Sequence, residues 1–357
     1  MTDATSDDPS APRQQQRAYR TRQRRRGLMV LGVLGVLAAP FLVAGAWFWW
    51  QVDAPGGQGA AVTVDIPSGT GVSGIGDRLH AAGVVGSSFA FRIYAEITGG
   101  GPYQAGEYEL HRHMGARAAA RALSKGPSVE HLALPPGLTL EQIAARVGTL
   151  RGLSADKFLA VARSGTIRSK YEPAGVSSLE GLTFPDTYVV DRGESEAQVL
   201  RTLVGRFDQE ADAAGLARGG PHGASAYQAV IVASLIQTEA KLDVDRPLIA
   251  AVVYNRLHDG TPLQIDATVK YARGGGDGPL TNADFALASP YNTYKVKGLP
   301  PTPISTVALV SLRAALAPAN APYLYYVLID ASGKHAFATT YQQHLQNIAE
   351  ARKKGLL

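Results

Sequence analysis

"ASLIQTEAKLDVDRPLIAAVVYNRL" (Ala233–Leu257) carries one carboxylate, Glu239, on an otherwise apolar face. Leu235, Ile236 and Val232 stand four, three and seven positions before it, and on a helix those positions share its face. The pattern predicts a helix that ends just beyond Glu239. It predicts a second helix that opens at Asp245, which would cap it, with Pro247 in the first turn. Two readings of Glu239 compete. It is a helix-end carboxylate paired with an arginine such as Arg246 or Arg256, since structural ion pairs are common. Or it is a working acid: burial disfavours the charged form, so the group stays protonated near neutral pH and can donate a proton. Acid cleavage of a glycosidic bond needs such a group.

Outward from this stretch the chain alternates short helices and strands. "AVTVDI" (Ala61–Ile66), "AGEYEL" (Ala105–Leu110) and "VEHLALP" (Val129–Pro135) read as strands. Val72–Gly83, Ser88–Ile97 and Gly115–Gly126 read as helices, the first closed by Gly83. Thr139 followed by Gln142 has the form of a capping box at the head of the next section. Helices are expected over Ser154–Ser164, Glu194–Ala214 and the C-terminal "QQHLQNIAEARKK", with a glycine-rich break at Gly215–Ser225. "LQIDATVKYA" (Leu263–Ala272) alternates like a strand, and "YLYYVLID" (Tyr323–Asp330) is the clearest strand signal in the chain. The class expected is α+β.

The net charge of +5 is uneven. Residues 1–26 carry seven Arg against three Asp, which is +4 and leaves +1 for the rest. A near-neutral body argues against a dedicated nucleic-acid binder. The chain has no cysteine, which removes disulfides and thiolate metal sites. The basic tail abuts "GLMVLGVLGVLAAPFLVAGAWFWW" (Gly27–Trp50), 24 residues without a charge, enough to span a bilayer at about 20 residues per crossing. Arginines on one flank place the N-terminus in the cytoplasm, and Trp47, Phe48, Trp49 and Trp50 read as an aromatic belt at the far interface. A cleaved signal peptide ending at "AGA" (Ala44–Ala46) is the competing reading; the length of the apolar run and the tryptophans favour an anchor. Residues 1–16 are expected to be disordered, and "DAPGGQGA" (Asp53–Ala60) to be a flexible linker.

Three other motifs carry little. "GTGVSG" (Gly69–Gly74) matches a dinucleotide fingerprint, but Glu96 falls in a helix and not at the end of a second strand. His111 and His113 lack the further ligands a metal site needs. "RGGGDG" (Arg273–Gly278) has no Lys-Ser/Thr after it and is no phosphate loop.

The stretch around Glu239, together with "LQIDATVKYA", "SPYNTYKVKGLPPTPIS" (Ser289–Ser305), "APYLYYV" (Ala321–Val327), "AGEYEL" and "EGLTFPDTY" (Glu180–Tyr188), resembles the endolytic murein transglycosylases. These are single-pass membrane enzymes that cut nascent peptidoglycan strands. The resemblance runs from Val62 to the C-terminus and includes the anchor. The family's Glu-x-Glu reads Gln237-Thr238-Glu239 here, so the catalytic role falls on Glu239. The small hydroxyl residue that usually follows is Ala240, and the family's Asp-Pro-Thr reads Asp266-Ala267-Thr268, which should loosen that turn slightly.

The resemblance implies a basic cytoplasmic tail (1–26), a transmembrane helix (27–50), a linker (51–60), a LysM-like glycan-binding domain (61–134) and a catalytic domain (135–357) on the cell-wall side of the cytoplasmic membrane. Glu239 would act as general acid and base in cleaving the bond between N-acetylmuramic acid and N-acetylglucosamine, giving 1,6-anhydro ends. Gln264, Asp266, Thr268, Tyr291, Asn292 and Tyr294 are implied as cleft residues. No metal or organic cofactor is implied; the partners implied are glycan strands, the bilayer and peptidoglycan synthases. A hydrolytic muramidase on the same scaffold would need a second carboxylate, and Asp243, Asp245, Asp266 and Asp284 are available. A non-catalytic glycan-binding scaffold for synthases is the third reading.

Overall fold

The structure is a computed structural model that describes residues 11–53, 59–276 and 278–356. It is a mixed helix-and-strand chain that divides into two compact units, residues 1–129 and 130–357.

The first unit opens with helix α1 (Ala11–Asp53). Its stretch Val33–Asp53 is long and apolar enough to cross a membrane, with Val36, Phe41 and Trp50 exposed. Two expectations change here. Residues 11–16 are helical, not disordered, as suits a segment without glycine or proline from Arg13 to Arg26 and rich in Arg and Gln. The expected linker loses its first three residues to α1: Val52 is buried, and Asp53 pairs with Arg117 at 3.1 Å. Residues 1–10, and 54–58 of the linker, lie outside the described residues. Of the expected aromatic belt, Trp47, Trp49 and Trp50 face outward, while Phe48 packs on the core of the unit.

Beyond α1, β1 (Ala61–Ile66), α2 (Val72–Ala81), α3 (Ser88–Ile97), β2 (Gly106–His111) and α4 (Gly115–Ser124) follow in order. β1 and β2 pair antiparallel from Ala61↔His111 to Ile66↔Gly106. Alternation buries Val64 and Ile66 against Tyr108 and Leu110, and α2, α3 and α4 add Leu79, Phe91 and Leu123. An antiparallel partner for β1 removes the parallel βαβ unit that a dinucleotide fingerprint needs.

The second unit begins with β3 (Val129–Ala133), which pairs with β4 (Thr187–Asp191). Between them lie α5 (Leu140–Val147) and α6 (Ala155–Arg163). The capping box at Thr139 and Gln142 forms as its sequence requires. α7 (Glu196–Ala213) leads through two 3-10 turns to α8 (Ala226–Glu239). Then come α9 (Arg246–His258), α10 (Asp266–Ala272), α11 (Asn282–Ala286) and α12 (Leu309–Leu316). A hairpin of β5 (Tyr325–Leu328) and β6 (His335–Ala338) and the helix α13 (Tyr341–Lys353) complete the chain. α8 is the axis of this unit: Tyr227 and every residue from Ala229 to Ile236 are buried. Helices α9 and α12 pack directly on it. It is apolar on all sides, where its sequence had suggested a stripe.

The alternating "LQIDATVKYA" is not a strand. Asp266–Ala272 is helical, and Gln264, at φ +53, turns the chain just before it. Ile265 and Val269 are buried four residues apart, so the same letters satisfy a helical period.

The "EGLTFPDTY" loop is pressed against the segment before α12. At Gly181 (φ +72) a Cβ would stand 2.3 Å from Pro303, so the approach requires glycine. Next to it the Glu180 carboxylate, 2% exposed, accepts the Leu140 N–H at 3.1 and 3.2 Å and the Tyr271 hydroxyl at 3.1 Å. It thus joins the head of α5 to α10. Burial, offset in part by the Leu140 N–H, raises its pKa to about 7. A raised carboxyl pKa contributes stability that is complete below the unfolded value near 4.5 and lost as pH rises through about 7. Relative to Glu180→Gln, the native protein should lose about 3 kcal/mol between those pH values. Parallel denaturant titrations from pH 4 to 8 measure this, and equal slopes with pH would refute it.

Candidate active site

Glu239 is the last residue of α8. Ala240 takes an extended conformation (φ −85, ψ 120) and ends the helix, so the Glu239 side chain emerges at the rim of the core, partly buried. Its Oε2 accepts the Tyr326 hydroxyl of β5 at 3.2 Å. Burial, with the nearby Asp266 charge, pushes the carboxyl up to about 7; the Tyr326 hydroxyl, the Ala267 N–H and Lys270 pull the other way. Burial and the Glu239 charge hold the Tyr326 phenol well above its ordinary value, so it remains a donor.

Neither arginine pairs with this carboxylate. Arg246 bonds Asp243 at 2.9 Å and the Ser311 hydroxyl at 2.6 Å. Arg256, buried, donates to the carbonyls of Leu324 (2.6 Å), Pro262 (3.0 Å) and Leu263 (2.8 Å) and to Gln264 Oε1 (3.2 Å). It ties α9 to the entry of β5 and to the turn before α10. Asp245 does not cap α9 either. Its backbone is already helical and its side chain makes no cap bond; the carboxylate turns to His335 instead.

The cleft residues expected from sequence separate into two groups. Asp266 is exposed at the first position of α10 and accepts the Tyr294 hydroxyl at 2.6 Å. Tyr294 is itself within electrostatic reach of Glu239. Gln264 is exposed and engages Arg256. Tyr291 is partly buried, bonds Thr302 at 2.9 Å and packs on Tyr271 with ring centres 4.8 Å apart. Thr268 and Asn292 are fully buried. The Thr268 hydroxyl meets Ile265 O and Thr293, and the Asn292 amide donates to Phe285 O and Leu287 O. These two lie in the interior and not on a surface that a ligand meets. The structure therefore gathers Glu239, Asp266 and Tyr294, and adds Tyr326, Lys270 and the Ala267 N–H. Tyr326 lay in the clearest predicted strand, but its pairing with Glu239, 87 positions away, leaves no mark in one sequence.

The first acid of the family's pair, Gln237 here, faces the interior. Its Oε1 accepts the Ala308 N–H at 3.1 Å and the Ser311 hydroxyl at 2.8 Å, docking α12 on α8. Among the described residues no group of three or more His, Asp or Glu is spaced to hold a metal ion. A cavity of about 690 Å³ lies beside the first half of α8, lined by Pro173, His222, Tyr227, Tyr254 and His258; Glu239, Asp266 and Tyr326 are not among its walls.

A carboxyl raised to about 7 at the rim of a buried helix and bonded by a phenol has the chemistry to give and to take a proton near neutral pH. The YceG-like family profile matches residues 64–350, and the chain belongs to this family. It is 30% identical over 328 residues to a protein of Streptococcus pneumoniae strain D39 named endolytic murein transglycosylase, covering 81% of this chain and 58% of that one. A Bacillus subtilis protein of the same name is 32% identical over 299 residues, covering 79% and 82%. The chain thus spans under two thirds of the streptococcal relative's length. A crystal structure of a YceG-like protein from Listeria monocytogenes superposes with a TM-score of 0.60 at 30% identity, covering 80% of this chain and 98% of that one.

Proposed function

We propose that the protein is a membrane-anchored peptidoglycan lytic transglycosylase with Glu239 as its general acid and base. The observation that carries this is the Glu239 carboxyl itself, raised to about 7 and bonded to Tyr326 at the edge of the core. The names of the relatives give the substrate class. Protonated Glu239 donates to the glycosidic oxygen as the bond from C1 of N-acetylmuramic acid breaks, and N-acetylglucosamine leaves with a hydroxyl. The resulting carboxylate then takes the proton of the muramic acid's own C6 hydroxyl. That oxygen bonds to C1, closes a 1,6-anhydro ring and leaves Glu239 protonated again. One carboxyl suffices because the nucleophile is part of the substrate and no water need be recruited. The substrate's 2-acetamido group shares the positive charge between the two steps, as in substrate-assisted glycosidases. Exposed Asp266 and Gln264 and partly buried Tyr294 contact the glycan.

Hydrolysis is the second reading, and one observation favours it: Asp266 stands close enough to Glu239 to raise its pKa. A water held by Asp266 would replace the C6 hydroxyl as nucleophile. The other available acids are engaged elsewhere: Asp243 with Arg246, Asp245 with His335, and Asp284 with Arg273.

For the rest of the chain we infer an N-terminus in the cytoplasm and a body on the cell-wall side, from the arginine-rich flank of α1. The LysM-like glycan-binding domain expected over 61–134 is proposed as far as Val129, since β3 pairs with β4 of the second unit; two antiparallel strands flanking two helices support the reading. Residues 135–357 form the catalytic domain, with synthases as partners at the membrane.

Glu239→Gln should lower cleavage of purified glycan strands about 10²–10⁴-fold; near-native cleavage by the folded variant would remove Glu239 from catalysis. Fragments from the native protein should weigh one water less than hydrolysis products and resist borohydride, whereas reducible ends would assign a muramidase. Protease added to the outer face of cells should digest the body and leave a short protected N-terminal fragment; an intact body would reverse the topology. In sedimentation assays, a chain lacking residues 61–129 should bind purified peptidoglycan more weakly than the whole chain, and equal binding would withdraw the LysM-like assignment.

A further inference from the structure

Glu239 and Asp245 lie on either side of the short connection between α8 and α9, and both reach the same hairpin. Asp245 is buried at 3% exposure. One of its oxygens, Oδ2, accepts two bonds from a single residue: the His335 backbone N–H at 2.9 Å and His335 Nδ1 at 3.0 Å. A carboxylate acceptor places the imidazole proton on Nδ1. His335 is the first residue of β6 and stands opposite Leu328 of β5, while Tyr326 stands opposite Phe337. The imidazole also meets the Tyr326 ring edge-on, with centres 5.6 Å apart at 83°. The Tyr326 hydroxyl then reaches Glu239 at 3.2 Å. A closed circuit results: the end of α8, β5, β6 and the head of α9.

We propose that Asp245 and His335 are positioning residues that together hold the Tyr326 hydroxyl on the Glu239 carboxylate. At that end the Asp245 bonds tie β6 to the head of α9, beside the Tyr326–Phe337 ring contact (centres 6.3 Å apart) and the Lys354 Nζ bond to Ile329 O at 3.1 Å. Arg256 and Asn255 grip the approach to β5, through the carbonyls of Leu324, Ala321 and Tyr323, and so fix the base of the hairpin. The Asp245 bonds fix the far strand, against which the Tyr326 ring rests. A buried, hydrogen-bonded pair of this kind fixes the geometry of the elements that it joins. The burial of both groups is explained by that geometric role, which a helix cap at Asp245 would not need.

The proposal rests on Glu239 being the acid, and its consequence is a pH effect with a definite sign. The Tyr326 hydroxyl stabilises the Glu239 carboxylate. Loosening Tyr326 therefore raises the Glu239 pKa, and the alkaline limb of cleavage moves to higher pH. The other groups facing Glu239 are Asp266, the Ala267 N–H and Lys270 on α10, Tyr294 before α12, and Arg256 acting on Tyr326; none changes in the variants.

The test uses the full chain in detergent and pH–rate profiles for glycan-strand cleavage. His335→Ala and Asp245→Ala should each shift the alkaline limb up by about 0.5–1 pH unit, the worth of one hydrogen bond. His335→Asn, whose amide can donate to Asp245 near the Nδ1 position, should recover part of the shift. Tyr326→Phe should produce the shift alone, and adding His335→Ala to it should add little, since both act through one bond. Asp245→Asn keeps an acceptor for the His335 N–H and serves if the alanine variants do not fold; it should shift the limb in the same direction. Folded variants with the native profile would overturn the proposal, as would a His335→Ala shift that persists undiminished in the Tyr326→Phe background. Glu239→Gln is run alongside. If it still cleaves, the reading of Glu239 fails on its own, whatever the hairpin variants do.

Discussion

The burial of α8 from Ala229 to Ile236 is the constraint on which the second unit depends. Val230, Ile231, Val232, Leu235 and Ile236 are all hidden, and burying each such side chain is worth about 1.5–3 kcal/mol. A helix apolar on every side must be enclosed on every side, and α9 and α12 enclose it. Its polar side chains serve the same end. The Ser234 hydroxyl donates to Ile231 O and accepts the Ile304 N–H, while Gln237 accepts from Ala308 and Ser311. Each one fastens the segment before α12 across the helix, whereas the buried Tyr227 hydroxyl makes no hydrogen bond. At its C-terminal end the helix reaches the rim, with Thr238 exposed and Glu239 partly buried.

Two carboxyls in this unit are raised to about 7, in surroundings that differ. Glu180 is sealed in, and its hydrogen bonds end on Leu140 and Tyr271, inside the protein. Its raised pKa is a consequence of joining two helices. Glu239 is raised by the same force, yet it is flanked by exposed Asp266 and Lys270 and keeps only one phenol as a side-chain donor. A displaced pKa marks both groups. Access to solvent and the spare hydrogen-bonding capacity of the carboxylate separate them, and these are properties of packing.

Local features were legible in the sequence. The capping box at Thr139, the helix of Ser88–Ile97 and the hairpin strand at Tyr325–Leu328 follow from letters within a few positions of one another. Glu239 could be singled out because a lone acid among Val232, Leu235 and Ile236 conflicts with its surroundings. Errors arose where two local rules were equally satisfied. Leu263–Ala272 fits both periods, and tertiary bonds decide for the helix: the Ile265 N–H is taken by Thr293 Oγ1 at 3.0 Å and its carbonyl by Thr268. Asp245 before a proline-bearing helix start looks like a cap, but a partner 90 positions away claims its side chain. Tyr326, Asp245 and His335 act only through such distant pairings.

The departures from the family's motifs acquire a physical meaning in this geometry. Ala267, where the resemblance implies a proline, is the second residue of α10, and its N–H reaches the Glu239 carboxylate. A proline has no N–H to offer there. The substitution, which from sequence alone suggested a looser turn, therefore adds a donor to the carboxylate it adjoins and lowers its proton affinity. The neutral Gln237 amide serves packing and accepts from Ala308 and Ser311. The Ala267 N–H moderates the effect of burial and of Asp266. The balance near neutrality is thus set by several small and opposing contributions around one carboxyl, and a change at any of them moves the pH at which that carboxyl can both give and take a proton.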